Sequence, residues 1–197
     1  MLKRFSLTLL LITSLATHNS RAASLYEVDT AHSTIGFSVP ILGGLSQVKG
    51  KFSDFTATIN YDAADVTKSS VTATIKTASI DTGIERRDAH LRTADFFDAE
   101  KYPEITFQSK RVERKGKQLI ATGAFTMHGV TKEISLPITV IGQFKNPANN
   151  QIVFGFATTL TINRRDYGIT YSNRANPTFL GDEVKIELNL ITKPSAS

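Results

Sequence analysis

Ile152-Val153-Phe154-Gly155-Phe156-Ala157-Thr158-Thr159-Leu160-Thr161-Ile162-Asn163 decides the fold. Ile152, Phe154, Phe156, Thr158, Leu160 and Ile162 fall on one face, with Thr159, Thr161 and Asn163 among the intervening positions. Alternation with period two is the mark of a half-buried strand, because successive side chains of an extended chain point to opposite faces. The pattern recurs at Val184, Ile186, Leu188 and Leu190, which alternate with Lys185, Glu187 and Asn189. It appears again at Ile134, Leu136, Ile138 and Val140, where Pro137 lacks an N–H and predicts an edge, a bulge or an irregular ladder.

Outward from these, strands are predicted over 33–39, 50–61, 70–80, 105–112 and 119–127, about eight in all. The sequences Arg114-Lys115-Gly116-Lys117, His128-Gly129 and Asn146-Pro147-Ala148-Asn149-Asn150 read as turns between them. Short turns between consecutive strands favour antiparallel neighbours, so the class is all-β, an up-and-down barrel or a sandwich. Residues 82–102 break the rhythm. Thr82-Gly83-Ile84-Glu85 has the spacing of a capping box and Pro103 ends the interval, which predicts one or two short helices lying over an opening of the sheet. Lys193-Pro194-Ser195-Ala196-Ser197 reads as a frayed tail.

The N-terminus carries an address. Lys3 and Arg4 precede an apolar run from Phe5 to Ala16, and Ser20-Arg21-Ala22 supplies small residues for cleavage. A run of about a dozen apolar residues is too short to span a bilayer, which takes roughly 20. Residues 1–22 are therefore expected to be a signal peptide cleaved near Ala22, with one domain over 23–197 and no stable membrane insertion. Loss of Lys3, Arg4 and Arg21 leaves 20 basic against 18 acidic residues, so most of the excess positive charge belongs to export. No basic run is long enough to grip a nucleic acid. The chain has no cysteine, which removes thiol chemistry, disulfides and cysteine-based zinc sites.

Signs of catalysis are sparse. His32, His90 and His128 lie on separate elements without a metal-binding spacing, and there is no G-x-S-x-G or phosphate-cradling loop around Gly43-Gly44. Neither a metal nor an obligatory cofactor is expected. The densest polar stretch is Glu85-Arg86-Arg87-Asp88-Ala89-His90-Leu91-Arg92, followed by Phe96 and Phe97. Two readings fit it: a solvated helix face with intrahelical ion pairs, or the polar rim of an apolar cavity. The phenylalanines on strand faces are open in the same way, since a barrel of about eight strands is either filled by side chains or hollow enough for a ligand.

Four segments resemble the YceI-like family: Asp29-Thr30-Ala31-His32-Ser33 with Phe37 and Val39; Arg87 to Arg92 through Asp95-Phe96-Phe97-Asp98 to Tyr102-Pro103-Glu104-Ile105-Thr106-Phe107; Gly123 to Lys132; and Arg164-Arg165-Asp166-Tyr167-Gly168. The resemblance implies a lipocalin-like antiparallel barrel, residence in the bacterial periplasm, and a tunnel for a polyisoprenoid or similar long-chain amphiphile as the partner. The candidates for the apolar wall of such a tunnel are Ile35, Phe37, Val39, Phe96, Phe97, Phe107, Phe125 and Phe154. Arg87, Asp88, His90, Arg92 and Arg165 become the polar rim. Where the family often has a histidine after the first Phe-x-Val, this chain has Ile41. Carriage without catalysis is the first expectation, with no catalytic residue assigned. An enzyme using His90, Asp88 or Arg165 at the tunnel mouth and a barrel packed solid are the alternatives, and the assembly is open between a monomer and a homodimer.

Overall fold

The computed structural model describes residues 24–148 and 150–194. The expected signal peptide, Asn149 and the last three residues of the expected tail lie outside them. Among the described residues eleven strands form one sheet, of which eight close into an antiparallel ring. In chain order the ring strands are β1 (Ser24–Val28), β4 (Phe55–Tyr61), β5 (Ser70–Lys76), β7 (Glu104–Lys115), β8 (Gln118–Met127), β9 (Val130–Lys145), β10 (Ile152–Asn163) and β11 (Glu183–Pro194). The ring closes where β1 pairs with β11, Tyr26 opposite Pro194 and Val28 opposite Thr192. Lys193 and Pro194, expected in a frayed tail, are thus part of the closing ladder.

Three further strands leave the ring: β2 (Thr34–Ile41), β3 (Ser46–Phe52) and β6 (Ile80–Asp81). β2 pairs with the first half of β11, Thr34 opposite Asn189 and Ser38 opposite Lys185. β1 and β2 therefore follow one another along a single edge of β11. Between them the chain turns at Thr30–His32, where Asp29 accepts from the Ala31 N–H. The flare continues from β2 to β3 to β6, with Phe52 opposite Ile80.

This geometry explains two departures from the sequence reading. The strand predicted over 50–61 breaks at Ser53 and Asp54, because β3 belongs to the flare and β4 to the ring. The strand predicted over 70–80 ends at Lys76, and a 3₁₀ turn at Thr77–Ser79 carries the chain out to β6. Pro137 sits one residue beyond the last β9–β10 pair, Ile138 opposite Thr158, so the missing N–H falls where that ladder stops. His128 and Gly129 join β8 to β9 with left-handed φ of 51° and 74°, the backbone that a two-residue hairpin requires.

The helix predicted within 82–102 is a single one, α1 (Glu85–Leu91), followed by turns. The capping box does not form. Ile84 occupies the N-cap position without a side-chain bond, while the Thr82 hydroxyl is taken by Asp88 and Arg87.

Buried apolar residues from six of the ring strands and from β2, β3 and β6 make one continuous core, against which half-buried residues of β5 and β11 pack. Among the glycines the tightest approach is at Gly123, opposite a register shift between Ser109 and Arg111 in β7. A Cβ at residue 123 would collide with the Gln108 carbonyl and the Ser109 Cα, and backbone cannot swing aside as a side chain can. Gly123→Ala is expected to cost about 1–3 kcal/mol of stability, in line with other overpacking substitutions. A lower urea midpoint at unchanged slope checks this; an unchanged midpoint contradicts the packing described.

Candidate functional site

Inside the barrel a cavity of about 180 Å³ runs from the flare into the ring. β2 contributes Ile35, Phe37 and Val39, and β3 contributes Phe52. From the ring come Ala73, Ile75, Phe107, Phe125, Leu160, Ile162 and Leu188, among others. The turn after α1 adds Phe96 and Phe97, and α1 itself adds Leu91. A smaller space of about 50 Å³ lies deeper, bordered by Ile59, Tyr61, Val112, Leu119 and Phe156. Val71, Leu136, Leu188 and Leu190 border both spaces.

Seven of the eight residues expected on the apolar wall border the larger cavity: Ile35, Phe37, Val39, Phe96, Phe97, Phe107 and Phe125. Phe154 does not. It lies toward the closed end, its ring centroid 5.3 Å from that of Tyr26 and 5.1 Å from that of Tyr61, where the three aromatics plug the floor. Phe52 stacks edge-on against Phe97 at 6.0 Å and tilts against Phe37 at 5.8 Å, so the flare and the helical segment meet through aromatic rings.

The five residues expected at a polar rim do not form one cluster. Asp88 is buried and accepts from the backbone N–H and the hydroxyl of Thr82. Arg87 donates to the Thr82 hydroxyl at 2.7 Å and the Thr82 carbonyl at 2.8 Å. Arg92 donates to the carbonyls of Ala78 and Ile80. These three charges fasten α1 to β6 and the chain around it. His90 Nε2 is 2.9 Å from Asp95, and its ring stands edge-on to Phe96 and Tyr171. It thereby joins the helical segment to the loop after β10. Arg165 has a different partner, Asp182, at 2.8 Å.

The charged residue that does border the cavity is Arg164, and it was not among the expected ones. Its place was legible by parity: Phe156, Thr158, Leu160 and Ile162 face inward, and two further residues bring the same face to 164, with 165 outside. Arg164 is only 4% exposed. It donates to the carbonyls of Gly181 and Ile169 and lies 2.7 Å from the Asp182 carboxylate. Burial lowers its pKa below the usual arginine range, and the Asp182 charge works in the opposite direction. The guanidinium stays ionised and is held by these partners.

The residues of the last two resembling segments also pack together. The Tyr102 ring lies 4.6 Å from that of His128 and occupies the space a side chain at Gly129 would need. His128 Nδ1 is 3.0 Å from the Tyr167 carbonyl oxygen, and Lys132 is paired with Asp166 at 3.4 Å. Burial raises the Tyr167 pKa, and the Asp166 charge adds to the effect. The motif thus bridges β8, β9 and the turn Arg164–Tyr167 across the stretch where β9 and β10 no longer pair. Among the described residues there is no group of three or more metal-ligating side chains, and no helix is long and apolar enough to cross a membrane.

Fold and interior together define an antiparallel eight-strand barrel with an apolar chamber, flared at one end and covered there by a helical segment. The chain belongs to the YceI-like domain family, whose model matches residues 26–192. It is 41% identical over 150 residues to a UPF0312 protein of Vibrio cholerae, covering 75% of this chain and 78% of that one. Among solved structures it resembles BcnA of Burkholderia cenocepacia with a TM-score of 0.74 and 26% identity, over 83% of this chain and 98% of the other. A polyisoprenoid binding domain from Saccharophagus degradans, implicated in plant cell wall breakdown, shares the fold with a TM-score of 0.64 at 16% identity, over 87% and 99% of the two chains.

Because Asp88 holds both the N–H and the hydroxyl of Thr82, Asp88→Ala is expected to loosen the helical segment by about 1–3 kcal/mol. Hydrogen exchange should quicken across 82–102 while the centres of β8 and β10 keep their protection. Uniform quickening throughout the barrel would show instead that Asp88 supports the whole fold.

Proposed function

We propose that the protein is exported to the periplasm, loses residues 1–22, and holds the hydrocarbon chain of a polyisoprenoid or similar long-chain amphiphile in its barrel. An isoprenoid quinone or a polyprenyl phosphate has the required shape. The observation that carries this reading is the chamber: a continuous apolar space walled by aromatic and aliphatic side chains, bordered by one ionised group that is already partnered. Such an interior offers nothing to a polar substrate and burial to a hydrocarbon. Family membership supports the barrel as a binding protein. The polyisoprenoid binding domain, at its level of identity, supports the fold alone.

The volume refines the proposal. About 180 Å³ slightly exceeds the roughly 150 Å³ that accommodates benzene in an engineered cavity. In this conformation the chamber therefore holds a short segment of a prenyl chain. A longer tail enters as Leu91, Phe96 and Phe97 move, since these come from α1 and the turn after it and not from the hydrogen-bonded ring. Burial of about 300 Å² of tail at roughly 25 cal/mol per Å² yields about 7 kcal/mol before the costs of association. Binding and release of this kind need no catalytic step.

Ala73 borders the cavity opposite Phe107 in the β5–β7 ladder, so Ala73→Leu fills the chamber without adding charge. Titrated with farnesol, a fifteen-carbon prenyl alcohol, the variant is expected to bind about tenfold more weakly than the original chain, at equal or higher thermal stability. Equal affinity in the two proteins would contradict binding inside the barrel.

A further inference from the structure

The turn joining β2 to β3 carries apolar side chains outward. Leu45 is 90% exposed and Leu42 47%. Left-handed backbone at Leu42, Gly43 and Gly44, with φ of 55°, 66° and 92°, produces this presentation; such a φ is uncommon for a leucine. The turn is held firmly. The Leu42 N–H donates to the Phe179 carbonyl and the Gly181 N–H to the Pro40 carbonyl, each at 2.8 Å, and Ile41 bridges Leu180.

Two features give this tip a direction. Val39 and Leu180 border the cavity, so an apolar path leads from the chamber through Ile41 to the exposed leucines. The two stretches of chain that build the tip carry basic charge alone. From 33 to 53 the charged residues are Lys49 and Lys51, and from 167 to 181 the one charged residue is Arg174; all three are exposed. Acidic charge lies at the edge of this surface, at Asp81, cross-strand from Lys51 and accepting from the Gly83 N–H, and at Glu183, the exposed first residue of β11.

We propose that this end of the barrel docks on the surface of an anionic phospholipid bilayer. Leu42 and Leu45 enter the interface while Lys49, Lys51 and Arg174 lie among the head groups, as in other peripheral anchors that combine apolar insertion with basic charge. The inference rests on the lipid-binding reading and adds the route: a docked mouth lets a hydrocarbon pass between bilayer and chamber without crossing water. A second copy of the chain would bring basic charge against basic charge, whereas an anionic membrane complements it.

Flotation with vesicles of phosphatidylglycerol and phosphatidylethanolamine tests this, using protein purified from an exporting host with its N-terminus established by mass spectrometry. The protein is expected to float with these vesicles, to float poorly with phosphatidylcholine alone, and to be released by about 0.5 M salt. Leu45→Asp should reduce the bound fraction about tenfold, and Lys49→Gln with Lys51→Gln should weaken binding and its salt dependence. Farnesol affinity in solution should be unchanged in Leu45→Asp, because Leu45 does not border the chamber. Docking is overturned if the original protein does not float, if Leu45→Asp floats equally well, or if that variant alters self-association alone. Flotation that depends on Leu45 in a protein without farnesol affinity would uphold docking and remove the reading of the interior.

Discussion

Everything distinctive about this barrel depends on one strand serving two partners along one edge. The first half of β11 pairs with β2 and its last residues pair with β1. Had β1 and β2 been one straight strand, the ring would close along its whole height. Because the chain steps outward at Thr30–His32, the ring is closed below, while above it β2, β3 and β6 splay away. A sheet that splays leaves apolar faces without a partner strand. The helical segment covers them with Leu91, Phe96 and Phe97. The chamber follows from that substitution of a helical cover for a hydrogen-bonded strand.

Charge is used in keeping with this arrangement. Arg87, Asp88 and Arg92 satisfy backbone and hydroxyl groups around Thr82 and β6, where an unpaired polar group would be costly to bury. Arg164, Arg165 and Asp182 do the same for the loop after β10. Tyr102, His128 and Tyr167 tie the two regions to the β8–β9 hairpin. Polar residues that invite a catalytic or head-group reading thereby also fasten the mouth.

The alternation in β9, β10 and β11 made their inward faces legible, because period two is a direct consequence of the pleat. It reached Phe107 and Phe125 in the same way, and the family resemblance supplied Phe37, Phe96 and Phe97. Three things were not legible. The break at Ser53 and Asp54 depends on which strands close the ring, a long-range pairing that no local pattern encodes. Phe154 shares the face of Phe156, yet height along the barrel and not facing direction decides whether a residue meets cavity or floor. Apart from the Glu85 carboxylate 3.6 Å from Arg92, the partners of Arg87, Asp88 and Arg92 are backbone groups of Ala78, Ile80 and Thr82 and the Thr82 hydroxyl, and spacing that resembles a capping box says nothing of them. Arg164 could have been found, since continuing the parity of β10 by one step points it inward.

The central claim is that the interior is a chamber for a hydrocarbon and not a filled core. Native mass spectrometry of the protein purified from its own host, without added lipid, tests it most directly. A discrete adduct that accompanies the folded protein, is released on unfolding and fragments as an isoprenoid or comparable long-chain amphiphile is the expected result. Protein that emerges from membrane-containing extract at the mass of the bare polypeptide, and takes up no such lipid when offered it, would contradict the account.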